Sequence, residues 1–272
     1  MSSDIPDAAT RRAILELARR IESEDGAPPL SDDALTQLSS PEAAHAVARD
    51  ADRVVGYAQR RESSAEIAAQ PSVIDELLDA IAEPGLLVWS HGRKSRLAAA
   101  LDGGGFVRDR ELYQLRRSLD GLPADPPLPP DVVVRAFRPG QDEDAWLAVN
   151  AAAFASHREQ GRRTRSELSA LMAEPWFAAE DFLLAERGGA LLGYHWTKVH
   201  GAGLGEVYVL GIGPDAQGLG LGNALLVRGL RHLAGRGCDT VLLYVDGDNA
   251  GARRLYERAG FTEHDLDIQW RM

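Results

Sequence analysis

The sequence predicts an α/β fold in two tandem copies, and three observations carry that expectation. Residues Glu206 to Ile212 alternate and are rich in Val and Tyr, which suits a strand, and they run into a glycine-rich loop that opens a helix. The order of candidate elements in the second half is echoed in the first. A proline-rich stretch lies between the two halves.

The loop reads Gln-x-x-Gly-x-Gly from Gln217 to Gly222, and the following segment places Leu226, Leu230 and Leu233 at helix spacing. Small residues opening a helix leave several backbone N–H groups free beside the positive end of the helix dipole, so such a loop holds a phosphate without any lysine. Two better-known phosphate motifs do not fit. The loop ends Gly222-Asn223-Ala224, not Gly-Lys-Ser/Thr as a P-loop does. Gly211, Gly213 and Ala216 make a nominal dinucleotide fingerprint, but Pro214 interrupts it and no acidic residue follows at ribose distance.

Beyond the loop helix, Thr240 to Val245 reads as a buried strand, Asp248-Asn249 as a helix N-cap, and Ala250 to Ala259 as a helix closed by Gly260-Phe261. Gln217-x-x-Gly220-x-Gly222, followed by Asn249-x-x-Ala252-x-x-x-Tyr256-x-x-x-Gly260-Phe261, resembles the GCN5-related N-acetyltransferase superfamily. The resemblance implies two tandem acetyltransferase domains, each a mixed sheet flanked by helices. It implies acetyl-CoA as co-substrate, held at Leu210, Gly211, Ile212, Gln217, Gly218, Leu219, Gly220, Leu221, Gly222 and Asn223, and at Asn249, Ala252, Arg253 and Arg254.

Composition narrows the setting. At 272 residues with 44% hydrophobic content, the chain can fill two modest cores. A net charge of −11 argues against a nucleic-acid partner, which needs a basic face, and suits a cationic acceptor. No apolar run approaches a membrane span, and the first residues lack the basic and apolar regions of a signal peptide, so a cytoplasmic protein with no membrane partner is expected. Cys238 is the only cysteine, which excludes an internal disulfide. Seven histidines without metal-ligand spacing predict no metal. A monomer is the expectation for assembly.

The stretch Leu119 to Asp131 holds five prolines and reads as a semi-rigid linker. The expected domains are 1–120, a linker at 121–131, and 132–272. Val54-Val-Gly-Tyr57 echoes Leu191-Leu-Gly-Tyr194, Ala65-Glu-Ile67 echoes Gly205-Glu-Val207, and Gly105-Phe106 echoes Gly260-Phe261, in the same order. Glu66 to Gly105 spans 39 positions where Glu206 to Gly260 spans 54, and the missing piece is the glycine loop. Ala65 to Ser72 runs straight into a helix over 73–81. The N-terminal domain is therefore expected to be degenerate, with tight acetyl-CoA binding lost and the C-terminal domain catalytic.

Acetyl transfer to an amine needs a neutral amine, a polarised carbonyl and a proton for the departing thiolate. Glu206, on the strand that leads into the loop, is the candidate base. A lone strand glutamate is more often an exposed carboxylate, but its place in Gly205-Glu-Val-Tyr-Val209 favours the catalytic role. The signature implies Tyr256 as the acid beside the CoA sulfur, and the backbone N–H near Leu210 as the donor to the thioester oxygen.

Asn150-Ala-Ala-Ala-Phe154, His157-Arg-Glu-Gln-Gly161, Glu174-Pro-Trp-Phe177, Gly193 to His200, Gly205 to Gly211 and Leu243 to Asn249 together look like the mycothiol synthase family. Its members acetylate the cysteinyl amine of cysteinyl-glucosaminyl-inositol in a ternary complex, the last step of mycothiol assembly. The resemblance implies acceptor contacts at Glu159, Lys198, Glu206 and Tyr244, and at Asp32 in the N-terminal half, where the family usually carries Glu. Arg158 and Arg163 stand where the family has Pro and Trp, which bears on the acceptor loop. Two alternatives stay open: an acetyl-CoA-dependent enzyme acting on another amino sugar or peptide amine, and a non-catalytic acetyl-CoA-binding scaffold.

Overall fold

The computed structural model describes residues 4–155, 157 and 160–272. In chain order the elements are α1 (Ala8–Asp25), α2 (Asp32–Thr36), β1 (Ala44–Asp50), β2 (Arg53–Arg61), β3 (Ser64–Ala69), α3 (Ile74–Ala80), β4 (Leu87–Ser90), α4 (Arg96–Gly103) and β5 (Val107–Ser118). They continue as β6 (Val133–Ala136), α5 (Glu143–Ala153), α6 (Arg165–Met172), β7 (Phe182–Arg187), β8 (Ala190–Val199), β9 (Leu204–Ile212), α7 (Leu221–Gly235), β10 (Thr240–Asp246), α8 (Ala250–Arg258) and β11 (Thr262–Arg271).

Two compact units result, and they do not follow the linear order of the chain. The first takes the residues up to Gln114 with Val245–Asn249 and Glu263–Met272; the second takes Leu115–Tyr244 with Ala250–Thr262. The first unit pairs β1, β2 and β3 antiparallel, then β3 with β4 parallel. The last strand of the chain completes this unit: β11 pairs antiparallel with β4, Ile268 opposite Ser90 and Arg271 opposite Leu87. One side of the sheet packs on α1, whose Ile14, Leu17, Ala18 and Ile21 are buried with Tyr57. Ile74 and Leu77 of α3 and Leu97 and Leu101 of α4 are buried with Ile67, Val88 and Trp270. The helix α1 starts at Asp7, which accepts from the Thr10 N–H, and stops at Gly26, in the left-handed conformation.

In the second unit β6, β7, β8 and β9 pair antiparallel, and β9 pairs parallel with β10. The internal repeat is visible at the level of single residues. Ser64, Ala65 and Glu66 of β3 stand opposite Leu87, Val88 and Trp89, and Leu204, Gly205 and Glu206 of β9 stand opposite Thr240, Val241 and Leu242. Each parallel ladder is three pairs long and ends on its glutamate.

An aromatic core of Phe137, Trp146, Phe182, Tyr194 and Trp196 fills one side of this sheet. The other side carries α7, which approaches closely because glycine occupies the contact points: a Cβ on Gly205 would meet Leu233 at 2.9 Å. The proline-rich segment lies along the same helix, with Arg231 donating to the Pro123 carbonyl and Arg228 to that of Pro126.

Candidate active site

Strand β9 sets the site. Beyond Glu206 it parts from β10, because the parallel ladder ends at the Glu206–Leu242 pair. From Val207 to Ile212 one edge of β9 therefore has no strand partner in β10, and the backbone there, including Leu210, Gly211 and Ile212, borders the opening. On its other edge β9 pairs with β8, with a bulge: Trp196 stands opposite Val209 and Thr197 opposite Val207, so Tyr208 has no opposite residue. A bulge re-aims the side chain it inserts.

One side of the ladder is built around a directly opposed pair. Lys198 of β8 faces Glu206 of β9, and opposed residues in an antiparallel pair share a face. The Lys198 ammonium lies 4.8 Å from the centre of the Trp176 ring and 5.9 Å from that of Tyr208. Trp176 in turn packs on Trp196 and Tyr208, with ring centres 5.7 and 5.1 Å away. His200, two residues beyond Lys198, brings Nε2 to 2.7 Å from Glu206 Oε2.

The glycine loop follows β9 through a short 3-10 turn over Pro214–Ala216. Gly218 and Gly220 both have φ +77°, a conformation that strains any residue with a Cβ, and nothing lies within 4 Å of a Cβ built on either. Gly220 caps α7, and no side chain bonds the free N–H groups of its first turn, which carries no acidic residue. Those groups and the helix dipole are therefore available to an anion. Leu221 is buried as the foot of the helix, while Leu219 is 46% exposed at the loop tip. The helix α8 reaches the same place: a Cβ on Gly222 would lie 3.6 Å from Ile212 and 3.9 Å from Leu255. Strand end, loop and α8 thus converge on one spot with the chemistry of a pyrophosphate cradle.

Tyr256 is buried on α8, its ring edge-on to Phe261 at 5.7 Å. Burial pushes its hydroxyl up to about 12, so it stays protonated at neutral pH and is able to donate. The helix ends as its sequence requires: Gly260 has φ +84°, and the Phe261 N–H bonds back to the Tyr256 carbonyl. Ala252 and Arg253 are half-buried on α8 and Arg254 is exposed. Tyr244, 44% exposed, is the last residue of β10 inside the second unit.

The structure thus gathers Glu206, Lys198, the loop and Tyr256 in one unit. Asn249 falls in the short segment that groups with the first unit, as does Asp32, exposed in the first turn of α2. Glu159 and Arg158 lie outside the described residues. Arg163 is half-buried just ahead of α6, close enough to Tyr208 to act on its hydroxyl electrostatically.

Sequence reasoning did not single out His200, Trp176 or Tyr208. The strand period alone marks His200, since it shares a face with Lys198; a bulge leaves no mark in the alternation. The first unit holds the counterpart of Glu206 in a different state. Glu66 accepts from the Ser31 N–H at 2.6 Å, from the Ser31 hydroxyl at 2.7 Å and from His91 at 3.3 Å. Among the described residues no group of three or more His, Cys, Asp or Glu is arranged to hold a metal, and no helix is long and apolar enough to cross a membrane.

A family model described as the acetyltransferase (GNAT) family matches residues 146–261. The chain is 45% identical over 278 residues to the mycothiol acetyltransferase of Streptomyces avermitilis, an alignment covering 95% of this chain and 89% of that protein. Among solved structures, a GCN5-related N-acetyltransferase from Sphaerobacter thermophilus superposes with a TM-score of 0.73 at 23% identity, covering 100% of this chain and 95% of that one. A tandem GNAT protein from the clavulanic acid biosynthesis pathway gives a TM-score of 0.74 at 17% identity, covering 98% and 96%. At these identities the two structures speak for the fold.

Proposed function

The chain belongs to the mycothiol acetyltransferase family, and we propose that it transfers the acetyl group of acetyl-CoA to the cysteinyl amine of cysteinyl-glucosaminyl-inositol. The chemistry is direct. The neutral amine attacks the thioester carbonyl, the C–S bond breaks, the amine gives up one proton and the thiolate takes one. The products are the N-acetyl compound and CoA.

Glu206 is the base. An α-amine titrates near 7.7 to 8.0, so a nearby carboxylate suffices to collect its proton, directly or through water. His200 holds one carboxylate oxygen, which fixes the direction of the other. The Leu210 backbone N–H, on the strand edge left open by β10, is the donor to the thioester oxygen as charge builds there. Tyr256 supplies the proton to sulfur. The loop Gln217–Asn223 holds the pyrophosphate of acetyl-CoA, and α8, with Ala252, Arg253 and Arg254, flanks its pantetheine; the family resemblance adds Asn249 to the pantetheine contacts. Lys198 and Tyr244 contact the acceptor, and the family resemblance adds Glu159 and Asp32 to that set.

The observation that supports this reading best is the contrast between the two glutamates that end the two parallel ladders. Three donors satisfy Glu66, and no glycine loop follows its strand, so the first unit keeps the fold without the reaction. Glu206 has one donor among the described residues, and the glycine loop Gln217–Gly222 follows the end of its strand at Ile212.

Arg163, close to Tyr208, favours a second reading in which the acceptor is another amino sugar or a peptide amine. Competition separates the two. With cysteinyl-glucosaminyl-inositol, glucosamine and a cysteinyl peptide mixed at equal concentration, acetylation of the first alone supports the proposal; equal turnover of all three overturns it.

A further inference from the structure

Along β8, Lys198 and Trp196 face the aromatic side of the sheet, and His195 faces the opposite way. It is fully buried, and its Nδ1 lies 2.9 Å from the backbone carbonyl of Leu225 on α7. One turn further along that helix sits Gly229, where a Cβ would overlap the His195 ring. The imidazole therefore occupies a notch that only glycine leaves open. Burial lowers its titration to about 4, so the ring is neutral, and a carbonyl partner requires that Nδ1 carry the proton. In the β8–β9 ladder His195 stands directly opposite Leu210.

We propose that His195 is a positioning residue for acetyl transfer. It ties α7, whose N-terminus is the glycine loop, to the strand pair that carries Leu210. The pyrophosphate site and the oxyanion donor are thereby held at a fixed separation, which a ligand spanning both must match. Two partners anchor the ring at adjacent turns, the Leu225 carbonyl and the Gly229 notch, so α7 can neither slide along β8 nor lift from it without breaking one of them. The inference rests on α7 as the acetyl-CoA helix and is independent of the acceptor.

The test is equilibrium binding to the full chain of two probes: acetyl-CoA, which spans both sites, and 3′-phospho-ADP, which carries the pyrophosphate but no thioester. Failure of the wild type to bind acetyl-CoA would overturn the proposed function itself. Given that binding, Gly229→Ala is expected to weaken acetyl-CoA about tenfold while 3′-phospho-ADP binds as before, a scale usual for coupling between touching groups. His195→Ala is expected to do the same, and His195→Asn, whose amide can donate to the Leu225 carbonyl, to recover part of the loss. The double variant His195→Ala/Gly229→Ala, in which the new methyl enters the vacated space, is expected to bind acetyl-CoA more tightly than Gly229→Ala. Should Gly229→Ala not fold, His195→Ala and His195→Asn carry the same comparison. Unchanged acetyl-CoA affinity in the variants, or equal loss of both probes, overturns the positioning role.

Discussion

His200 Nε2 lies 2.7 Å from Glu206 Oε2, so the carboxylate at the end of the β9–β10 ladder is held by one oxygen. Among the described residues it has no other hydrogen-bond donor. The proposed role of Glu206 as base calls for this arrangement: oriented by the protein, unsaturated toward the ligand.

Glu206→Gln keeps the shape and removes the proposed base. Turnover is expected to fall by roughly 10²- to 10⁴-fold, the usual worth of a positioned general base, with the acetyl-CoA KM nearly unchanged. His200→Phe leaves the carboxylate in place but unheld, and a smaller fall in kcat of about tenfold is expected. Steady-state kinetics at neutral pH checks both; wild-type turnover in Glu206→Gln would remove Glu206 from the mechanism.

Lys198 is seated on the Trp176 ring at 4.8 Å, with Tyr208 beside it. A cation held over an aromatic face gains about 0.5 to 2 kcal/mol. Trp176→Leu should therefore raise the acceptor KM by about 2- to 30-fold, the same energy expressed as a ratio. Lys198→Met should raise it too, and the double variant should cost less than the two single effects combined, because both act through one ammonium. Additive losses would show that Trp176 does not work through Lys198.

Gly220 stands at φ +77° at the mouth of α7. A valine there is strained by its branched Cβ and projects a side chain toward the free N–H groups. Gly220→Val should abolish measurable acetyl-CoA binding with little effect on the melting temperature of the first unit. Undiminished binding would move the pyrophosphate elsewhere.

The first unit has its own pH signature. Burial opposes charge on His91, but Asp267 and then Glu66 bind the imidazolium strongly enough to lift its titration to about 10. With an unfolded value near 6.5, the folded state holds the extra proton between the two. Stability from this triad is complete below about pH 6.5 and falls progressively as the pH rises through the raised titration of His91. His91→Gln should flatten that slope. Urea midpoints measured from pH 6 to 9 for both proteins check it, and parallel curves would contradict it.

Much of this was legible in the chain itself, for local reasons. The strand at Glu206–Ile212, the glycine loop and the α7 pattern are set by neighbours a few residues apart, so period and composition reveal them. The repeat was legible because Glu66 and Glu206 kept the same place in their ladders. What escaped depends on residues far apart in sequence. Trp270 donates to Ser90 across 180 positions, and nothing local announces that β11 joins β4. The saturation of Glu66 needs Ser31, 35 residues earlier. The fit of His195 into Gly229 is a packing event between a strand and a helix that the sequence presents only as one more buried histidine and one more glycine.

The most direct test of the account is CoA thiol release by the purified chain with acetyl-CoA and cysteinyl-glucosaminyl-inositol, run beside glucosaminyl-inositol that lacks the cysteine. Release with the cysteinyl compound alone, with a product one acetyl group heavier by mass, is the predicted result. Release with neither, or equally with both, would contradict the claim that this site acetylates the cysteinyl amine.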